Sequence, residues 1–325
     1  MDPAIRNEID TFLSEAEIGE LKQRSDWQGL RALLMSWAII AASLAAVALQ
    51  PHPVVILVAI VLIGGQQLSL AVSMHEAAHH LLFRTRWAND WFGRWIAAYP
   101  VIQDMHRYRR HHIAHHRYTG TDRDPDLSLA SGFPVSRGSL ARKFARDVFG
   151  ITGVKVLIGS VLMLGGVLVY DVSGEGRRAD RTGMTRATKA RQFIAGVHGP
   201  VLAQLALFGI LWACGAGWTY LIWIGAWLTS LQLFLRIRSI AEHALTPDPY
   251  DALNNARTTR AQWWERLLYA PLNVNYHLEH HMMVAAPHWQ LPRLHRMLRE
   301  RGAFERPASV APSYAAVLRS AVRRS

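Results

Sequence analysis

Eight of the sixteen histidines in this 325-residue chain fall into three tight clusters. They are His75-Glu76-Ala77-Ala78-His79, His112-Ile113-Ala114-His115-His116 and His277-Leu278-Glu279-His280-His281. On a helix, residues at i, i+3 and i+4 share a face, so each cluster is expected to aim its imidazoles at a common point. Neutral imidazole is the commonest metal ligand in proteins. Eight imidazoles exceed the needs of one ion and suffice for two, so the pattern predicts a dinuclear metal centre built from three distant segments. Cys214 is the only cysteine, which excludes an internal disulfide and a thiolate-held zinc or iron–sulfur site.

The segments that must position these clusters are strongly apolar. Half of the residues are hydrophobic, yet the mean hydropathy is only +0.06, because long apolar runs alternate with basic polar stretches. That alternation predicts an all-α integral membrane protein. Residues 30–50 and 53–74 read as two spans joined by the turn Pro51-His52-Pro53, and residues 193–213 and 216–235 as two more joined at Cys214-Gly215. A helix from Pro53 to His80 would be roughly 40 Å long against a hydrocarbon core of about 30 Å, so His75 and His79 should emerge at the membrane surface. Gln66 and Gln67 should face other helices rather than lipid.

The net charge is +12, and the Lys and Arg residues lie outside the two tight turns. The positive-inside rule then places both termini and all three clusters in the cytoplasm, with four transmembrane helices as two hairpins under a cytoplasmic helical cap that carries the histidines. Residues 151–170 are apolar but contain Lys155. A full crossing there would put the third cluster on the wrong side, so the segment is expected to be interfacial or re-entrant. The polar N-terminus is not expected to be a cleaved signal. Residues 1–325 read as a single domain. The basic surface suits anionic lipid headgroups or an acidic protein partner, and no nucleic-acid motif is visible.

The pattern HxxxH, HxxHH, HxxHH on four spans resembles the membrane fatty acid desaturase superfamily, and bacterial members in particular. The likeness runs from about Arg31 to Leu298. It includes Arg117-Tyr118-Thr119-Gly120 after the second cluster, Asp124-Pro125-Asp126, Ala241-Glu242-His243-Ala244 and Asn275-Tyr276 before the third. The resemblance implies His243 as a ninth ligand beside His75, His79, His112, His115, His116, His277, His280 and His281. It implies two iron ions, O₂ as co-substrate and attack on an unactivated C–H bond. Zinc lacks the redox change, although spacing alone does not choose the metal.

The expected reaction is desaturation of a lipid acyl chain. The electrons would come from an external carrier such as a ferredoxin-like protein, and the location would be the bacterial inner membrane. A hydroxylase or ketolase, or an alkene-forming decarboxylase on a lipid or carotenoid, would use the same site. A metal store, sensor or transporter is the rival without catalysis. Metal-bound histidines usually donate their other N–H to a carboxylate or carbonyl, which makes Glu76, Asp124, Asp126, Glu242, Glu279 and Asn275 candidates to orient them. Ion pairs with nearby arginines are the plainer role for the carboxylates. His80, His106 and His111 should lie off the ligand register. His52 belongs to the outer turn, His198 to a packed or hydrogen-bonded position within a span, and His288 and His295 to the surface or an interface.

Overall fold

A computed structural model describes residues 3–172, 176–248, 250–305 and 308–323. The chain is mostly helical, and its strands among the described residues are the parallel pair β1 (Thr258–Thr259) and β2 (Val310–Ala311). Ten helices frame the site: α1 (Asp26–Leu49), α2 (Pro53–Ala78), α3 (Met105–Tyr118), α4 (Arg137–Val148), α5 (Ile151–Leu164), α6 (Arg186–Ala213), α7 (Tyr220–Leu228), α8 (Ser230–His243), α9 (His277–Met282) and α10 (Tyr314–Ser320). Among the described residues, four helical segments are long and apolar enough to cross a membrane: Glu15–Leu49, Pro53–Ala78, Arg186–Ala213 and Gly217–His243.

Local sequence explains where these helices start and stop. Ser25 caps α1 by accepting from the Gln28 N–H, and Pro53 occupies the first turn of α2, where its missing N–H costs nothing. The fourth span extends beyond 235, because helix continues through Arg236 and Arg238 to His243. It is interrupted at Thr229 (φ −117°, ψ −86°), which separates α7 from α8.

Within an apolar bundle, polar side chains bond between helices. Ser36 and Ser69 join α1 to α2 at 2.9 Å, the Gln67 amide donates to the Trp223 carbonyl at 2.9 Å, and Ser230 donates to the Ile60 carbonyl at 2.7 Å. The Gln66 amide donates to the Leu267 carbonyl at 3.1 Å, so both glutamines face protein as expected. Gly64 permits the Ser230 contact, since a Cβ there would lie 2.1 Å from Ser230 Oγ. By contrast, α6 turns Ile194, Leu205, Ile210 and Trp212 outward, as a lipid-facing helix does.

The 151–170 segment is helical only to Leu164. At 14 residues α5 is about 21 Å long, too short for the core. It is bent 65° from α4, which carries Arg137, Arg142, Lys143 and Arg146. The corner between them is fastened to α8. Arg236 makes two bonds to the buried Asp147 carboxylate, and Thr152 Oγ1 donates to that carboxylate at 2.5 Å. Gly153 lets α5 press on the interruption in the fourth span, where a Cβ would meet the Leu228 carbonyl oxygen at 2.1 Å.

Candidate metal centre

The second half of α2 is buried from Ala59 onward except for a few partly covered positions, and it delivers His75 and Glu76 into the interior. His79 is its C-cap, and His80 turns away in the left-handed region (φ 58°). Helix α3 starts at Asp104, whose carboxylate accepts from the His106 and Arg107 N–H groups, and it carries His112, His115 and His116. Helix α9 is buried throughout and carries His277, His280 and His281, while α8 ends at His243.

Nine histidines converge as two sets. His75, His79, His112, His116 and His280 form one, and His115, His243, His277 and His281 the other, each with its ligand atoms within 4.8 Å of one another. This corrects the expectation that each cluster serves a common point. The second and third clusters are both divided, because His115 points away from His112 and His116, and His277 and His281 away from His280. On a helix the i and i+3 side chains diverge enough to reach two neighbouring centres. The sets are adjacent, with the His116 and His281 rings 4.4 Å apart between centroids.

Ring nitrogens within the sets lie very close. His112 Nε2 is 2.9 Å from His116 Nε2, which is 3.0 Å from His280 Nε2; His277 Nε2 is 2.8 Å from His243 Nε2 and 3.1 Å from His281 Nε2. One proton can bridge a pair but cannot satisfy a whole set. His75 Nε2 and His79 Nε2 are buried without a hydrogen-bond partner among the described residues. A metal–imidazole bond of ~2.1 Å with a right-angled N–metal–N corner gives an N···N edge of ~3.0 Å. The residues therefore fit metal ions.

The outer nitrogens are partly held. His75 Nδ1 faces Glu76 at 3.2 Å, His115 Nδ1 faces Asp124 at 2.8 Å, His281 Nδ1 faces Thr119 Oγ1 at 3.3 Å, and His243 Nδ1 faces the Asn255 carbonyl at 3.4 Å. Glu242 lies 3.7 Å from His277 Nδ1. An outer acceptor keeps the proton on Nδ1 and turns the Nε2 lone pair inward. Asp126 bonds His111 at 2.6 Å and lies 3.7 Å from His115.

Glu279 and Asn275 make their contacts elsewhere. Glu279 bonds Thr258 and His295, and the Asn275 amide donates to the Thr259 carbonyl. Asp124 and Asp126 bond histidines rather than the flanking arginines, of which Arg109 bonds Asp90 and the Ala77 and Ala78 carbonyls. His295 is half-buried on Glu279 rather than at the surface, and His288 is buried with its backbone N–H donating to Glu76. His198, read as packed, is exposed and bonds the Ala195 carbonyl.

Electrostatics favour the ligand-competent form. Burial, then the neighbouring His75, holds His79 down at about 3. Burial and adjacent imidazoles likewise press His112, His116, His277, His280 and His281 well below the usual value. His115 is the exception: burial opposes its charged form most strongly, but the bond to Asp124 together with the charges of Asp126, Asp124 and Glu242 outweighs that and raises it. Sequence reading missed Tyr108, stacked on His112 at 5.0 Å, and Thr119. Thr119 was findable, since it stands one turn after His115 and three residues after His116.

The fatty acid desaturase family model matches residues 50–309, and the chain belongs to that family. It is 26% identical to dihydrorhizobitoxine desaturase of Bradyrhizobium elkanii over 243 residues, covering 74% of this chain and 66% of that protein. It is 25% identical to the sn-1 oleoyl-lipid 12-desaturase of a Synechocystis strain (70% and 63% coverage) and 22% identical to that of Arthrospira platensis (67% and 60%). The chain thus spans just under two thirds of the length of each of these relatives.

Proposed function

We propose that the protein is an O₂-dependent desaturase of lipid acyl chains, with His75, His79, His112, His116 and His280 holding one iron ion and His115, His243, His277 and His281 the other. The observation that carries this reading is the pair of adjacent all-histidine sets gathered where the apolar helices α2 and α8 end. When bound, two iron ions supply the O₂-activating redox chemistry that removes hydrogen from an unactivated methylene. The chain's own part is to fix the ligands. Glu76, Asp124, Thr119 and the Asn255 carbonyl hold four rings by their outer nitrogens, and burial disfavours the charged form of the rings.

The four spans form two hairpins in the bacterial inner membrane as one domain, with α5 re-entrant and the termini and histidines cytoplasmic. The absence of Lys and Arg from the two tight turns supports this orientation. Electrons come from an external ferredoxin-like carrier drawn to the basic surface, and turnover should fall as salt screens that attraction.

The test is lipid mass spectrometry of cells with and without the protein, grown under ¹⁸O₂, together with the iron content of the purified protein. A product two hydrogens lighter and unlabelled, with about two irons per chain, supports desaturation. A labelled hydroxyl or keto product overturns it, and metal without any product change favours storage or sensing.

A further inference from the structure

Alkyl chemistry alone does not account for a cation beside the two histidine sets. Arg238 lies on α8 one turn before Glu242, and its Nε donates to Glu242 Oε1 at 2.5 Å. The two side chains are only 14% and 10% exposed. The same carboxylate oxygen stands 3.7 Å from His277 Nδ1, so the guanidinium is two contacts from a ring of the four-histidine set. Its other edge, the two terminal nitrogens, donates to nothing among the described residues.

A second observation comes from another part of the chain. Tyr314 on α10 is 1% exposed, and its hydroxyl has no hydrogen-bond partner among the described residues. Helix α10 packs against α8, and the Tyr314 ring meets the Tyr269 ring at 4.9 Å, which meets that of Phe234, one turn before Arg238, at 6.0 Å. Two donors on packed helices, α8 and α10, thus stand without a partner among the described residues. An alkyl segment placed there would leave them unpaired, which is costly in a buried site.

We propose that the free edge of Arg238, with the Tyr314 hydroxyl, binds a carboxylate on the substrate. A planar guanidinium edge matches a carboxylate in the two-bond fork arrangement. One cation already shared with Glu242 suits a monoanion better than a phosphate dianion. The inference rests on the desaturase reading and narrows its substrate class to acyl compounds with a free carboxylate. It also places the oxidised carbons close to that carboxylate, because Arg238 is near a histidine set rather than at the end of a long tunnel.

The test is equilibrium binding of straight-chain alkanoic acids of graded length, and of their methyl esters, to the purified full-length protein in detergent. The acids should bind at least about tenfold more tightly than the esters, as expected for charge-assisted hydrogen bonds. Arg238→Gln should abolish that difference, Arg238→Lys should keep part of it, and Tyr314→Phe should weaken acid binding a few-fold. Metal content and melting temperature show whether each variant is folded. If Arg238→Gln does not fold, the wild-type and Tyr314→Phe comparisons decide. Equal affinity for acid and ester, an acid preference that survives Arg238→Gln, or no binding by any acid overturns the proposal. A monophosphate ester that outcompetes the acids also overturns it. None of these outcomes touches the desaturase reading, which stands or falls on the ¹⁸O₂ products and iron content.

Discussion

The two histidine sets differ in how firmly the protein holds them. In the set of four, His115, His243 and His281 each have an outer hydrogen-bond contact, and His277 faces Glu242. In the set of five, His75 leans on Glu76, whereas the outer nitrogens of His116 and His280 are buried without a partner among the described residues. One set has fewer ligands held in place, and the other more ligands held loosely. Ligand number and ligand orientation are therefore separate means of securing an ion.

The largest effect should come from removing ligands. His281→Ala leaves three histidines in its set and opens the boundary with His116, so bound metal should fall from about two ions per chain to below one, with loss of activity. His79→Ala leaves four in its set, and bound metal should stay above one. Equal losses in elemental analysis would show that the sets are not distinct.

Next come the acceptors. Asp124→Asn should weaken metal binding by roughly 10–100-fold by releasing His115, and Glu76→Gln should do less. Chelator competition would rank them, and a reversed order would break the comparison.

The pH response of the metal-free protein distinguishes the sets further. A histidine whose folded value lies below 6.5 takes up protons in the unfolded chain first, so the stability it contributes is lost as pH falls from about 6.5 toward the folded value, about 3 for His79. His112, His116, His277, His280 and His281 act in the same direction. His115, raised by Asp124, acts oppositely: its stabilisation is full below 6.5 and is lost as pH rises through its folded value. The melting temperature should drop by about 5 °C or more between pH 7.5 and 5.5, and more steeply in Asp124→Asn. A flat profile would contradict the buried neutral rings. The smallest effect belongs to Thr119→Val, which removes the His281 contact but leaves the other outer partners of its set. A few-fold loss of metal affinity is expected.

Much of this was legible in the sequence. Apolar length located the spans, and helical spacing picked out all eight clustered histidines, with the family resemblance adding His243. The apportioning of histidines between sets was not legible, because spacing on one helix gives faces and not what lies opposite each face. The burial of His288 and the turning of Glu279 toward Thr258 and His295 are likewise tertiary outcomes. The fourth span was read as ending at 235, before Arg236, since charges suggest water. Asp147 neutralises Arg236 from another helix, and Glu242 neutralises Arg238 one turn along, so helix persists in the interior.

The division of two clusters between two sets also bears on how such a chain can change length. An ideal helix turns about 100° per residue, so one residue inserted between His112 and His116, or between His277 and His281, would swing rings out of both sets at once. Residues added in the connections between clusters need move no ring at all. Tolerance to insertion should therefore change abruptly, closed within α9 and from α3 through Asp124, where Thr119 and Asp124 hold rings, and permissive in the connections beyond.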